Sequence, residues 1–83
     1  LRKGKFHMSK LKMIADSADM IINGYAFIKD GDNVRVVNLN NSDKALFMDY
    51  DGVVLETSMD DIEIDIVLDY YHRNKKYLEV AYA

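Results

Sequence analysis

Apolar residues between Ser58 and Tyr82 recur at helical spacing, and they cover more than one side of the helix that they predict. A surface helix needs an apolar stripe only a little over 100° wide. At about 100° per residue, one polar stripe of this segment falls within roughly 80° of arc, and most of the remaining positions are apolar. The stripe consists of Asp61, Asp65, Asp69, His72, Lys76 and Glu79. We therefore expect the helix to contact its own sheet on one side and a second partner on another.

The apolar positions of this predicted helix divide into two arcs. Ile66 lies at the centre of the first arc, with Ile62, Tyr70 and Tyr77, and we assign this arc to the sheet. The second arc is assigned to another subunit, because tyrosine and leucine suit interfaces as well as cores. Its residues form the candidate interface: Ile64, Leu68, Tyr71, Leu78 and Tyr82. The competing interpretation is that a helix over residues 9–22 covers this second arc.

The start of the long helix carries a capping signal. Ser58 is predicted to be the N-cap, since a serine oxygen can accept a bond from a free N–H of the first turn. Asp60 and Asp61 follow, and carboxylates there are favoured by the positive end of the helix dipole.

Short apolar runs alternate with turn signals over residues 24–57, and this pattern predicts an antiparallel meander. The predicted strands are Tyr25–Lys29, Val34–Leu39, Ala45–Tyr50 and Val53–Thr57. Asp51-Gly52 is a strong hairpin signal, and connections this short join only neighbouring antiparallel strands. Apolar and polar residues do not alternate cleanly along these strands, so both faces of the sheet carry apolar side chains. We therefore expect part of the second face to be covered as well.

The segment before the meander permits two interpretations. Residues 9–22 fit a short helix that Asn23-Gly24 would end, because these two residue types tolerate the left-handed conformation. Alternatively, Asn23-Gly24 is a hairpin turn between strands Met20–Ile22 and Tyr25–Ile28. The helix is preferred. The dipeptide His7-Met8 resembles a cloning junction, and the alternative is a genuine upstream start, so no function is assigned to residues 1–7, a tag-derived or flexible basic head.

These elements predict a single α+β domain over residues 1–83, with the order α-β-β-β-β-α. A four-stranded antiparallel β-meander packs against the long C-terminal helix of residues 58–82, and a short helix precedes it. Hydrophobic residues make up 49% of the chain, which is enough for a small core.

Charge and composition narrow the classes of function. Residues 1–15 contain five Lys or Arg and no acid, whereas the rest of the chain contains six bases and 14 acids. An acidic body disfavours nucleic-acid binding, which needs clustered Lys and Arg. Cysteine is absent, which excludes disulfides, thiolate metal sites and cysteine nucleophiles. No membrane-spanning helix and no signal peptide are predicted, and a reducing cytoplasm is the expected location.

One polar group invites a chemical interpretation. Asp65, Asp69 and His72 are spaced by four and three residues on one helix face, and such a set can hold a metal or perform acid–base chemistry. The competing interpretation is a solvated face with intrahelical charge pairs. The solvated face is preferred, because catalytic sites normally lie in a cleft.

Two other acidic runs are assigned to turns rather than to cation sites. Asp30–Asn33 is too short for an EF-hand loop, and at Asp49–Asp51, where two carboxylates could share a cation, the hairpin turn already explains Asp51-Gly52. No phosphate loop or nucleophile motif occurs, so no catalytic, cofactor-binding or metal residue is assigned and an enzyme is disfavoured.

The leading functional hypothesis is a non-enzymatic interaction or regulatory module that self-associates, as a dimer in the first instance, and captures an unidentified protein partner. The alternative is a ligand- or metal-binding protein or enzyme that uses Asp65, Asp69 and His72.

Overall fold

The computed structural model describes residues 13–80, and at residues 79 and 80 it describes the backbone alone. This part of the chain forms two helices and five strands. In order they are α1 (13–17), β1 (Met20–Ile22), β2 (Tyr25–Asp30), β3 (Asn33–Asn38), β4 (Ala45–Asp49), β5 (Val54–Thr57) and α2 (Asp61–Val80). The strands make an antiparallel sheet in the order β1-β2-β3-β4-β5. The predicted α+β meander with a C-terminal helix is confirmed, with one strand more than expected.

The extra strand comes from the segment for which a helix was preferred. Residues 13–17 are helical, but Met20–Ile22 pairs with β2, and the predicted helix is wrong beyond residue 17. Asn23 and Gly24 both have positive φ, at 49° and 84°. A two-residue hairpin turn needs positive φ at both positions if its twist is to match that of the strands. The Asp19 carboxylate also accepts a bond from the Lys29 N–H at 2.7 Å, which ties the chain to β2 just before β1. Residues 9–12 and the head over residues 1–7 lie outside the described residues.

The pairing of β4 with β5 is irregular. Phe47 is opposite Glu56, but Met48 is opposite Val54, so Leu55 is an additional residue in β5 without a partner in β4. A bulge of this kind bends a strand and increases its twist. Both edges of the sheet are therefore poor templates for a further strand, since β1 has only three residues and β5 is bulged.

The core lies between α2 and one face of the sheet. From α2, Val67, Tyr71 and Leu78 are fully buried. The sheet contributes the buried residues Phe27, Val34, Val36, Leu46 and Met48. On the other face of the sheet, Ala26 and Val37 are also buried, whereas Ile21 is 50% exposed. The second face is thus covered in part, as its mixed sequence predicted.

The two faces of α2 are reversed relative to the prediction. Tyr71 and Leu78 belong to the core, and the candidate interface residues Ile64 and Leu68 pack against it. Of the residues assigned to the sheet, Tyr70 does pack against the core, but the other three are exposed: Ile62, Ile66 and Tyr77. The physical reason is that Arg73 and Asp69 lie on the helix among these exposed residues, and docking that side would remove both charges from water, which costs more than their attraction returns. Tyr82 lies outside the described residues.

The start of α2 also differs from the prediction. The Asp60 carboxylate accepts a bond from the Glu63 N–H at 2.8 Å, so Asp60 is the N-cap. Ser58 is not the cap, because its hydroxyl donates to the Asp43 carbonyl at 2.7 Å and accepts from the Ala45 N–H at 2.9 Å. Its side chain holds the end of β5 to the start of β4.

Candidate interaction surface on the C-terminal helix

An apolar stripe remains exposed on the side of α2 that points away from the sheet. Ile62 is 73% exposed, Ile66 is 41% exposed and Tyr77 is 60% exposed. At 100° and 1.5 Å per residue, these side chains fall within about 60° of arc and extend over about 22 Å. We call this surface the outer stripe and define it by Ile62, Ile66, Asp69, Arg73 and Tyr77. Single exposed apolar residues are ordinary, but an aligned set marks a candidate binding surface.

The middle of the outer stripe carries an ion pair. Arg73 Nε lies 3.1 Å from Asp69 Oδ1, and both side chains are more than half exposed. An exposed pair of this kind on a helix contributes only about 0.3–0.5 kcal/mol to stability. The pair therefore does little for the fold, and its position between Ile66 and Tyr77 makes it part of the surface that a partner would meet.

From residue 61 to residue 78, the last residue of α2 whose side chain the structure describes, the charges along the exposed side are separated by sign. The first half carries Asp61, Asp65 and Asp69, and the second half carries Arg73 and Lys76. All five residues are exposed. The Lys76 ammonium also lies 5.5 Å from the centre of the Tyr77 ring, within reach of a cation–π contact. The outer stripe therefore has an acidic half next to Ile62 and a basic half next to Tyr77.

The residues predicted as a possible metal or acid–base site do not converge. Asp69 pairs with Arg73, and the His72 imidazole lies against Gly52 in the turn between β4 and β5. Asp65 is exposed on the helix surface. Within residues 13–78, no three His, Asp or Glu side chains come together in a way that could hold a metal ion.

The acidic turn residues organise the backbone. Asp49 Oδ1 accepts bonds from the N–H groups of Asp51 and Val53, each at 2.9 Å, and this closes the turn after β4. The Asp30 carboxylate accepts a bond from the Arg35 guanidinium at 3.1 Å. These contacts support the assignment of both acidic runs to turns.

A polar cluster ties the first turn of α2 to the sheet. The Tyr25 hydroxyl donates to Glu63 Oε2 at 2.8 Å, and the Asn38 amide donates to the same oxygen at 2.9 Å. Burial is the largest cause that raises the pKa of Tyr25, and together with the bond to the Glu63 carboxylate and the negative charge of that carboxylate it brings the pKa to about 12. Tyr25 therefore stays a hydrogen-bond donor over the physiological range. Its role is to position α2 rather than to exchange protons.

An open groove of about 510 Å³ lies beside β5. Its lining includes Arg35, Phe47, Glu56, Thr57 and Ser58. Several of its polar groups already serve the sheet, since Arg35 bonds Asp30 and the hydroxyls of Thr57 and Ser58 bond the backbone of β4 or the preceding loop. This groove therefore offers a ligand fewer convergent polar groups than a typical small-molecule site.

The fold and this surface define a small α+β protein in which a meander carries one helix with a partly apolar outer side. Residues 8–78 match a family of unknown function, DUF7723, and the chain belongs to that family. No curated protein and no solved structure matches the chain. Across the part of the chain that the structure describes, no helix combines the length and apolar character needed to cross a membrane.

Proposed function

We propose that the chain is a non-enzymatic, cytoplasmic protein–protein interaction module that self-associates as a dimer through the outer stripe of α2. The observation that carries the proposal is the exposure of Ile62, Ile66 and Tyr77 on one side of a helix whose opposite side is fully used by the core. Removing such an aligned apolar surface from water is the general driving force of association.

Two features favour a second copy of this chain as the occupant. The separation of charge along α2 makes the surface complementary to itself when one copy is reversed, and a two-fold interface requires such self-complementarity. The edges of the sheet are the usual alternative route to self-association, but β1 is short and β5 contains the bulge at Leu55.

The test is light scattering coupled to size exclusion over a range from micromolar to millimolar protein. We expect the unmodified chain to shift from monomer to dimer mass as the concentration rises. The variant Ile62→Ser/Tyr77→Ser should weaken the dimer by on the order of tenfold or more, because it removes most of the exposed apolar area of the stripe. Both positions are more than half exposed, so the variant should keep the circular dichroism and the denaturation midpoint of the parent.

The matched control is Ile21→Ser. Ile21 is 50% exposed, but it lies on the sheet face opposite to α2, so this change should leave the monomer–dimer equilibrium untouched. A monomer at every concentration would refute self-association. A dimer that Ile21→Ser weakens and Ile62→Ser/Tyr77→Ser does not would move the interface to the sheet.

A further inference from the structure

We infer that two copies of α2 pair antiparallel, across a two-fold axis that crosses the helix between Tyr70 and Tyr71. In this arrangement Asp65 of each copy lies opposite Lys76 of the other. The inference rests on the self-association proposed above, and it adds the orientation of the two chains and the residues that fix it.

The first argument is the order of the charges along the helix. Over residues 61–78, acids occupy the first half of the exposed side, at Asp61, Asp65 and Asp69, and bases occupy the second half, at Arg73 and Lys76. Antiparallel pairing places each acidic half against the basic half of the other copy. Parallel pairing places like charges opposite each other, which disfavours association.

The second argument is the side of the stripe on which the charges lie. At 100° per residue, Asp65 and Lys76 lie within about 20° of each other, on the same flank of the outer stripe. A two-fold axis perpendicular to both helices brings the same flanks of the two copies together. In a parallel pair, this flank would instead meet the opposite one, which carries Glu63, Tyr70 and Asn74.

The third argument concerns the apolar positions. Ile62 and Ile66 lie at one end of the stripe and Tyr77 lies at the other. In the antiparallel arrangement, the isoleucines of each copy reach the tyrosine ring of the other, so two aliphatic groups cover each ring. At the centre, Asp69 of one copy lies opposite residue 72 of the other, next to Arg73. Each Arg73 can therefore contact the Asp69 of its own helix and that of the other copy.

The helix dipole does not account for this charge pattern. Acids in the first turn and bases in the last turn are favoured in any helix, but the effect declines within one turn of each end. Asp65 and Asp69 lie four and eight residues after the first residue of α2, which is Asp61, and Arg73 lies seven residues before the last, Val80. The ion pair within one helix accounts for Asp69 and Arg73, and pairing with a reversed copy would account for Asp65 and for its match with Lys76.

Cysteine cross-linking tests the orientation, because the sequence contains no native cysteine. Asp65→Cys and Lys76→Cys are made separately, mixed and oxidised. A disulfide needs Cβ atoms about 3.5–4.5 Å apart. In the antiparallel pair, residue 65 of one copy is about 16 Å along the axis from residue 65 of the other, so neither variant should link to itself. The mixture should form covalent dimer on the order of tenfold faster than either variant alone.

Two further variants make every outcome decisive. Ile62→Cys reports the parallel arrangement, since only there do the two copies of residue 62 meet, and its rapid self-linking would overturn the inference. Ser42→Cys, at an exposed position in the loop between β3 and β4, gives the rate of random collision. A dimer in light scattering without linking above that rate in the mixture would also overturn the antiparallel pair. A monomer in light scattering would instead refute the self-association itself.

Discussion

The hydroxyl of Tyr71 donates a hydrogen bond to the main-chain carbonyl oxygen of Tyr50. This contact joins the middle of α2 to the residue that follows β4. The Tyr71 ring is fully buried, and it stacks on Phe27 with 6.3 Å between the ring centres. A tyrosine that was predicted at an interface thus completes the core, and its polar tip reaches a backbone acceptor at the core's edge.

Tyr71→Phe should lower the free energy of unfolding by about 1–2 kcal/mol, because the ring stays in place while the Tyr50 carbonyl loses its hydroxyl donor. Tyr71→Ala should lower it by about 3–5 kcal/mol, because a large core side chain is removed. Urea denaturation followed by circular dichroism measures both. Equal losses for the two variants would show that the hydrogen bond, rather than the ring, dominates.

Substitution by aspartate should affect stability very differently at two adjacent residues of α2. Val67 is fully buried and Ile66 is 41% exposed. Val67→Asp should unfold the protein or remove several kcal/mol of stability, since a carboxylate would be buried without a partner. Ile66→Asp should keep the helical circular dichroism and change the stability by less than about 1 kcal/mol. If Ile66→Asp unfolds the chain while Val67→Asp does not, the orientation of α2 described above is wrong.

Gly52 should resist substitution more strongly than Gly31. Both have positive φ, at 92° and 63°, so alanine is strained by roughly 1–2 kcal/mol at either position. At Gly52, a Cβ would also lie 2.9 Å from Cε1 of His72, whereas at Gly31 nothing lies within 4 Å. Gly52→Ala should therefore destabilise more than Gly31→Ala in thermal melts.

The His72→Ala background isolates the contact at Gly52. In that background, Gly52→Ala should destabilise the protein less than it does in the parent, because the contact with the imidazole is gone. The destabilisation that comes from the positive φ should remain. An unchanged effect in that background would assign the whole penalty to the backbone.

The bond between Tyr25 and Glu63 should make stability depend on pH in the alkaline range. The folded protein raises the pKa of Tyr25 from 10.0 to about 12, so it favours the neutral hydroxyl. This contribution to stability is complete below pH 10 and is lost as the pH rises from 10 to about 12. The difference in unfolding free energy between the parent and Tyr25→Phe should shrink across that range. A constant difference would contradict the proposed coupling.

The turns explain why much of the meander could be predicted. Asp-Gly and the other turn signals fix where each strand ends, and the strand boundaries differ from the prediction by one residue at most. β1 is the alternative that the sequence offers but does not favour, because Met20–Ile22 satisfies two patterns at once, a helical spacing and a strand that pairs with β2. Hydrophobic periodicity is a local pattern and gives no information about pairing with another strand. The dipeptide Asn23-Gly24 does indicate the hairpin turn that the structure contains.

The candidate site was harder to predict than the fold. A helical wheel shows that α2 has two apolar arcs, but it does not show which of them meets the sheet. The neglected signal was Arg73, which interrupts the arc of Ile62 and Tyr77, whereas the arc of Val67 and Tyr71 has no charge at its centre. The prediction that Ser58 is the N-cap is wrong because its hydroxyl bonds the backbone of Asp43 and Ala45. These partners are distant in sequence, so the residues around Ser58 do not reveal them.

The order of the sheet has a consequence for how this chain folds. Every strand pairs with its neighbours in sequence, so the hairpins can close through short loops before the chain is complete. Until α2 docks, both of its apolar arcs compete for the newly formed sheet. Arg73 biases that competition, because the wrong arc would carry a guanidinium into the core. The same side chain that marks the outer stripe thus protects the folding route from a misdocked helix, and Arg73→Leu should slow productive folding even where it leaves the final structure intact.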